Sequence, residues 1–174
     1  MKIHTIILAA GEGSRMISNK AKSLQHIGGQ SMLTRIYETV SSITNETSFV
    51  VGYEKEAIIK ETKKFVGEIN ICVQEKPIGT ADAVKAALNN ISPDSQTLIL
   101  YGDVPLIKLQ TLKKMLSANE DSLTILTTEL TDPTGYGRVK KDDAGLALSI
   151  VEEKDATSAV SYTHLRAHET WSYR

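Results

Sequence analysis

The sequence predicts an α/β protein, a mostly parallel mixed sheet with helices on both faces and an added β-hairpin. Three observations predict it. Short apolar runs alternate with segments of helical periodicity along most of the chain. Those runs are continuous rather than alternating, as strands covered on both faces are. Past Gly135 the style changes to two short runs around a polar turn, which predicts an antiparallel hairpin.

The first strand is expected at Ile3–Ala9, running into Ala10-Gly11-Glu12-Gly13-Ser14-Arg15-Met16. Met32, Leu33, Ile36, Val40 and Ile43 recur at helical spacing and predict a first helix, followed by a strand at Ser48–Val51. Ala57, Ile58 and Phe65 mark a weaker helix, and Ile69–Gln74 a third strand. Ala81, Val84, Leu88 and Ile91 predict the next helix, with Thr80 as N-cap and Asp82 in its positive first turn. Thr97–Tyr101 is a fourth strand, Leu109, Leu112 and Leu116 a fourth helix, and Leu123–Glu129 a fifth strand. The hairpin pairs Val139–Lys140 with Leu146–Val151 around Asp142-Asp143-Ala144-Gly145. No internal repeat or low-complexity linker interrupts this order.

A length of 174 residues suits one domain able to bury a real core. The net charge of −1 argues against a nucleic-acid partner, which calls for a strong basic excess. The single Cys72 cannot form an internal disulfide and fits a reducing compartment. The apolar start is broken by His4 and Thr5 and leads into glycines, so it reads as a buried strand rather than a signal peptide. Nothing approaches the ~18 apolar residues of a membrane span. A cytoplasmic protein is the expectation.

The first loop carries the strongest chemical signal. Gly11 and Gly13 let backbone N–H groups approach anionic oxygens, and Arg15 adds a fixed positive charge, a layout for phosphate. It is not a Walker A loop, since no lysine follows Gly13 at the required spacing. Nor is it a dinucleotide fingerprint, since Met16 stands where a third small residue belongs. A plain strand-to-helix turn would use the same glycines for geometry alone. Two further motifs fall after strands, where ligands of such sheets sit. Gln74-Glu75-Lys76-Pro77-Ile78-Gly79-Thr80 offers an amide that can pair with the donor and acceptor edge of a base, and a glycine that permits close packing on its ring. It also reads as a turn rich in breakers. Tyr101-Gly102-Asp103 sets a carboxylate at the tip of a buried strand, a hard oxygen ligand suited to Mg²⁺ shared with phosphates, although Asp is common in any turn. Lys22 follows the first loop, where an ammonium could meet a triphosphate; Lys20 is expected to be simply solvated.

Together these pieces resemble a known family. Leu8-Ala9-Ala10-Gly11, Gly13, Arg15-Met16, Gln74 with Gly79-Thr80, Tyr101-Gly102-Asp103-Val104-Pro105-Leu106, Asp132-Pro133 with Gly135-Tyr136-Gly137-Arg138, and Val151-Glu152 with Lys154-Asp155-Ala156 occur in that family's order. The chain resembles the pyrophosphorylase half of the bacterial bifunctional N-acetylglucosamine-1-phosphate uridyltransferase/glucosamine-1-phosphate acetyltransferases, over residues 1–157. Many sugar nucleotidyltransferases share the first motif; the later ones in combination are more specific.

The resemblance implies a Rossmann-like nucleotidyltransferase fold and a reaction between UTP and N-acetylglucosamine 1-phosphate, giving UDP-N-acetylglucosamine and pyrophosphate for cell-wall and lipopolysaccharide precursors. It implies Arg15 and Lys22 as the catalytic cations on the triphosphate. Leu8, Ala9, Ala10, Gly11, Gln74, Gly79 and Thr80 would hold the nucleotide, and Tyr101, Gly102, Gly137 and Glu152 the sugar. Asp103 would be a ligand of Mg²⁺. No nucleic-acid or membrane partner is implied. Other nucleotidyltransferases, acting on isoprenoid or molybdopterin precursors, share the first loop, and a nucleotide-binding module without catalysis would share much of the rest.

Two departures stand out. The family usually has proline where Ala21 precedes Lys22, which predicts a looser loop here. After Thr157 the family continues to an asparagine metal ligand and a β-helix acetyltransferase domain through which its members assemble. Residues 1–157 are therefore expected to form an incomplete pyrophosphorylase domain of weak activity, and residues 158–174 a tail foreign to the family. That tail resembles translated adapter sequence rather than an enzyme strand, an artefact in which His164 and His168 at helical spacing are a chance metal pair.

Overall fold

The computed structural model describes residues 2–12, 18, 20–76, 78–118, 123–132, 134, 136–151 and 165–173, the last stretch by its backbone alone. The chain divides into two compact units, residues 1–124 with 171–174, and residues 125–170.

The first unit contains β1 (Lys2–Leu8), β2 (His26–Ile27), β3 (Gln30–Ser31), α1 (Met32–Val40), β4 (Glu46–Val51), α2 (Lys55–Thr62), β5 (Asn70–Val73), α3 (Thr80–Ala87), β6 (Ser95–Tyr101) and α4 (Leu109–Ala118). Its sheet runs β5-β4-β1-β6, all parallel. Leu8 stands opposite Val50 on one side and Tyr101 on the other, and Val51 opposite Val73, so the carboxyl ends of four strands finish level. The chain builds outward from β1 to β4 and β5, then returns to lay β6 on β1's free side. That reversal opens a crevice at the end of β1, where ligands of doubly wound sheets bind.

Alternation along the strands divides the core. Ile6, Leu8, Val50, Cys72 and Ile99 pack with Ala83 and Ala87 of α3. Phe49, one residue out of step with Val50, faces the other way and meets Tyr37 of α1 at 6.0 Å and Phe65 at 6.3 Å between ring centroids. Helices therefore cover both faces, as the continuous apolar strands predict. Full burial of Phe49 on this face makes it a residue whose truncation costs about 3–5 kcal/mol.

Several expectations need correction. The buried stripe of α3 is Ala83 and Ala87; Ala81 and Leu88 are exposed, and Leu88–Asn90 continues as a 3-10 turn. Small side chains let that helix sit close on the sheet. Gly79, with φ of 132°, is the N-cap of α3, and Thr80 is its first residue. In α4 the core residues are Leu112 and Met115. The β2–β3 ribbon, turning through Gly28 and Gly29 at φ of 59° and 86°, was not anticipated. Glycine at both positions matches a two-residue hairpin turn, and Arg35 of α1 fastens it by donating to the carbonyls of Ile27 and Gly28.

β7 (Thr124–Glu129) leads into the second unit, where β8 (Arg138–Lys141) pairs antiparallel with β9 (Ala147–Val151) as the expected hairpin. Asp142 Oδ1 accepts from the N–H groups of Ala144 and Leu146, and Gly145 takes φ of 83° to close the turn. In the tail, β10 (Leu165–Tyr173) is a strand for which no expectation was set: Trp171–Tyr173 lie antiparallel along β6, with Trp171 opposite Ile99. The open edge of β6 is a template for any extended segment. His168 thus sits in a strand, which removes the helical face that a His164–His168 pair requires; His164 lies outside the described residues.

Candidate functional site

The carboxyl ends of β1, β5 and β6 surround one cleft of about 320 Å³. It is lined by the β1 exit (Leu8, Ala9, Ala10, Gly11), the turn after β5 (Gln74, Gly79, Thr80) and the β6 tip (Tyr101, Gly102, Asp103), with Lys22 at its side. These are residues from four separated stretches of sequence, each singled out above. Arg15 and Glu152 lie outside the described residues, as does Gly13. Gly137 belongs to the second unit, where a Cβ added to it would lie 3.4 Å from the Val151 carbonyl oxygen of β9.

Backbone geometry explains why small residues stand at the strand ends. The Ala9 N–H donates to Val50 O at 2.8 Å and the Gly102 N–H to Leu8 O at 2.7 Å, so both neighbours of β1 stay laddered to its last residues. A Cβ on Gly102 would lie 2.9 Å from Leu8 O and 3.3 Å from both Ala9 Cβ and Ser23 Cβ. Glycine at this point lets the β6 tip press on the β1 exit and places Asp103 beside it.

Charge is arranged on one side. Lys22 Nζ stands 2.7 Å from Asp103 Oδ2, and both side chains keep substantial exposure to the cleft. Lys22 begins a 3-10 turn, Lys22–Leu24, whose preceding residue Ala21 is fully buried at φ −49° and ψ 139°. The Ala21 N–H donates to a carboxylate oxygen of Glu54, a residue in the left-handed region at φ 50°. The looseness expected from alanine in place of proline is therefore offset by a hydrogen bond that proline could not make.

On the opposite wall, Gln74 Nε2 donates to Gly79 O at 3.1 Å and to Asp82 Oδ2 at 3.0 Å. The Tyr101 hydroxyl donates to Thr80 Oγ1 at 3.1 Å, which ties β6 to the start of α3. Sequence reasoning missed Ser23 and Ala83 in the lining, and the supporting acids Glu54 and Asp82. Asp82 was visible as a first-turn acid; its reach to Gln74 was not, because it depends on how closely α3 folds back on β5.

Asp103 is the one carboxylate among the described lining residues, and no three His, Cys, Asp or Glu side chains cluster among the described residues. Such a donor set suits a hard cation that takes most of its oxygens from phosphates and water, as Mg²⁺ does.

A family model for the MobA-like NTP transferase domain matches residues 5–145, a span that contains every described wall of this cleft. The chain belongs to that family. Among curated relatives, it is 43% identical over 158 residues to the bifunctional protein GlmU of Neisseria meningitidis serogroup C, covering 90% of this chain and 34% of that protein. It is 42% identical over 160 residues to the bifunctional protein GlmU of Pseudomonas aeruginosa, covering 91% and 35%. The chain thus spans about a third of the length of the curated relatives it matches. Among solved structures, it matches a Bacillus anthracis protein assigned as a glucose-1-phosphate thymidylyltransferase, with TM-score 0.80 at 17% identity over 98% of this chain and 71% of that one. HddC from Yersinia pseudotuberculosis, complexed with GMP-PN, matches with TM-score 0.72 at 22% identity over 98% and 76%. At these identities the likeness is one of fold.

Proposed function

We propose that this NTP transferase domain transfers uridylyl from UTP to N-acetylglucosamine 1-phosphate, forming UDP-N-acetylglucosamine and pyrophosphate. The observation that carries the reading is the convergence of Lys22, Asp103, Gln74 and the Leu8–Gly11 backbone on one crevice. Identity above 40% to proteins called bifunctional GlmU supports the choice of substrates.

The chemistry asked of these residues is positioning and charge neutralisation. A phosphate oxygen of the sugar phosphate attacks the α-phosphorus of UTP; the new P–O bond forms as the bond to the β-phosphate oxygen breaks, and pyrophosphate leaves. The small residues Ala9, Ala10 and Gly11 leave room for the nucleoside, and Gln74 with Gly79 and Thr80 holds its base. Lys22 and Arg15 neutralise the triphosphate. Tyr101, Gly102, Gly137 and Glu152 are the proposed sugar contacts. Asp103 is the residue that would hold Mg²⁺, which supplies further neutralisation of phosphate charge when bound.

The test is pyrophosphate release from UTP and N-acetylglucosamine 1-phosphate by the purified chain with Mg²⁺, beside a panel of the other nucleotides. UTP should be preferred, and Lys22→Ala and Asp103→Ala should each lower turnover at least about 100-fold, the usual loss when one stabilising group is removed. Preference for CTP or GTP, or near-wild-type turnover in both variants, overturns the proposal.

A further inference from the structure

Resting on the reading just given, we propose that Asp82 is a positioning residue that fixes the hydrogen-bonding polarity of Gln74. The cleft would then select a nucleobase that offers a ring N–H, as an imide does, over one that offers a bare ring nitrogen.

A glutamine amide has two faces, a pair of donors on nitrogen and an acceptor oxygen, and a rotation of its last bond exchanges them. Here the exchange is blocked. Nε2 lies 3.1 Å from the Gly79 carbonyl and 3.0 Å from the Asp82 carboxylate, two acceptors that together occupy both of its hydrogens. Turned the other way, Oε1 would face two oxygens, one of them in a carboxylate. Among the described residues no group donates to Oε1, and Gln74 lines the cleft, so what it offers a base is an acceptor. This narrows the donor-and-acceptor pairing expected from the amide alone.

The carbonyl of Gly79 is supplied by backbone, but the carboxylate is a choice of sequence. Asp82 is the third residue of α3, where the N-terminal end of the helix favours a negative charge whatever it contacts. Its side chain therefore stands in place before any ligand arrives. An acceptor held at Gln74 meets the N3–H of a uracil-type base productively. Against cytosine it meets the N3 lone pair, leaving two acceptors unpaired, and sites that depend on a specific polar partner discriminate strongly on this ground.

The experiment is equilibrium titration of the intact chain with UTP and with CTP in the presence of Mg²⁺, for wild type, Asp82→Ala and Asp82→Asn, with the melting temperature of each. Asparagine keeps an acceptor for Gln74 Nε2 and removes the charge. Wild type should prefer UTP; Asp82→Ala should lose about tenfold of that preference, mostly by gaining affinity for CTP, and Asp82→Asn should keep it. A UTP preference unchanged in Asp82→Ala while the melting temperature falls makes Asp82 a helix-stabilising residue and overturns the proposal alone. Equal loss in both variants overturns it too, by assigning the effect to charge. A wild-type chain that binds neither nucleotide overturns the functional reading on which it rests.

Discussion

Removing the Glu54 carboxylate should unfasten the turn that carries Lys22, and a proline at position 21 should fasten it again. In the wild-type fold the Ala21 N–H, fully buried, donates to Glu54. Glu54→Ala leaves that donor without its partner, at a cost of about 2 kcal/mol, since hydrogen bonds to charged groups contribute ~1.5–3 kcal/mol. Ala21 already has φ of −49°, close to the angle a proline ring imposes. In the Glu54→Ala background, Ala21→Pro deletes the orphaned donor, fills space the carboxylate has left, and lowers the entropy of the unfolded chain. It should restore about 1–2 kcal/mol. In the wild-type background the same proline breaks the bond and presses its ring on the carboxylate, so it should destabilise by about 2 kcal/mol or more. The proline thus changes sign between backgrounds. Urea unfolding of the four proteins, with unchanged slopes, measures the cycle. If Ala21→Pro shifts stability equally in both backgrounds, within about 0.5 kcal/mol, the fastening role assigned to Glu54 is wrong.

Two further outcomes concern the strand ends and the core. Gly102→Ala should cost about 1–3 kcal/mol because the added methyl meets the Leu8 carbonyl at 2.9 Å, while Gly11→Ala, with nothing within 4 Å, should melt like wild type; coincident melting curves for both would refute the close-approach account. His4 is buried with Nε2 2.8 Å from Ser48 Oγ, and burial lowers its pKa below 6.5 although nearby Glu46 opposes the shift. The unfolded chain therefore takes up this proton first as pH falls. Stability from the neutral ring is complete above about pH 6.5 and declines below it toward the lowered folded value, by at most ~1.4 kcal/mol per pH unit. Denaturation at pH 7.5, 6.5 and 5.5 should show that decline in wild type and a smaller one in His4→Gln; parallel declines would exclude His4 as the source.

The strands that build the crevice were readable because each ends in an unbroken apolar run, and β1, β4, β5 and β6 begin and end within two residues of expectation. The residues that meet at their tips were readable as types: glycines at an exit, an amide before a helix, an acid after a strand. Their meeting was not. Lys22 and Asp103 come together only because β1 and β6 are neighbours, a matter of topology that neither local stretch records. Ala83 and Ala87 escaped notice as core because periodicity weighs large side chains, whereas close packing of helix on sheet selects small ones. The β2–β3 ribbon is too short to carry a pattern beyond its two glycines. The pairing of Trp171–Tyr173 with β6 joins stretches far apart in sequence, which neither records by itself.

The rung from Gly102 to Leu8 has a mechanical consequence. It bolts the β1 exit to the ledge that carries Asp103, at the spacing of adjacent strands. The cleft cannot widen across that gap without breaking the ladder at its end. The turn behind Lys22 hangs on that frame differently, through the buried Ala21 N–H that donates to a carboxylate on the helix-leading bend after β4.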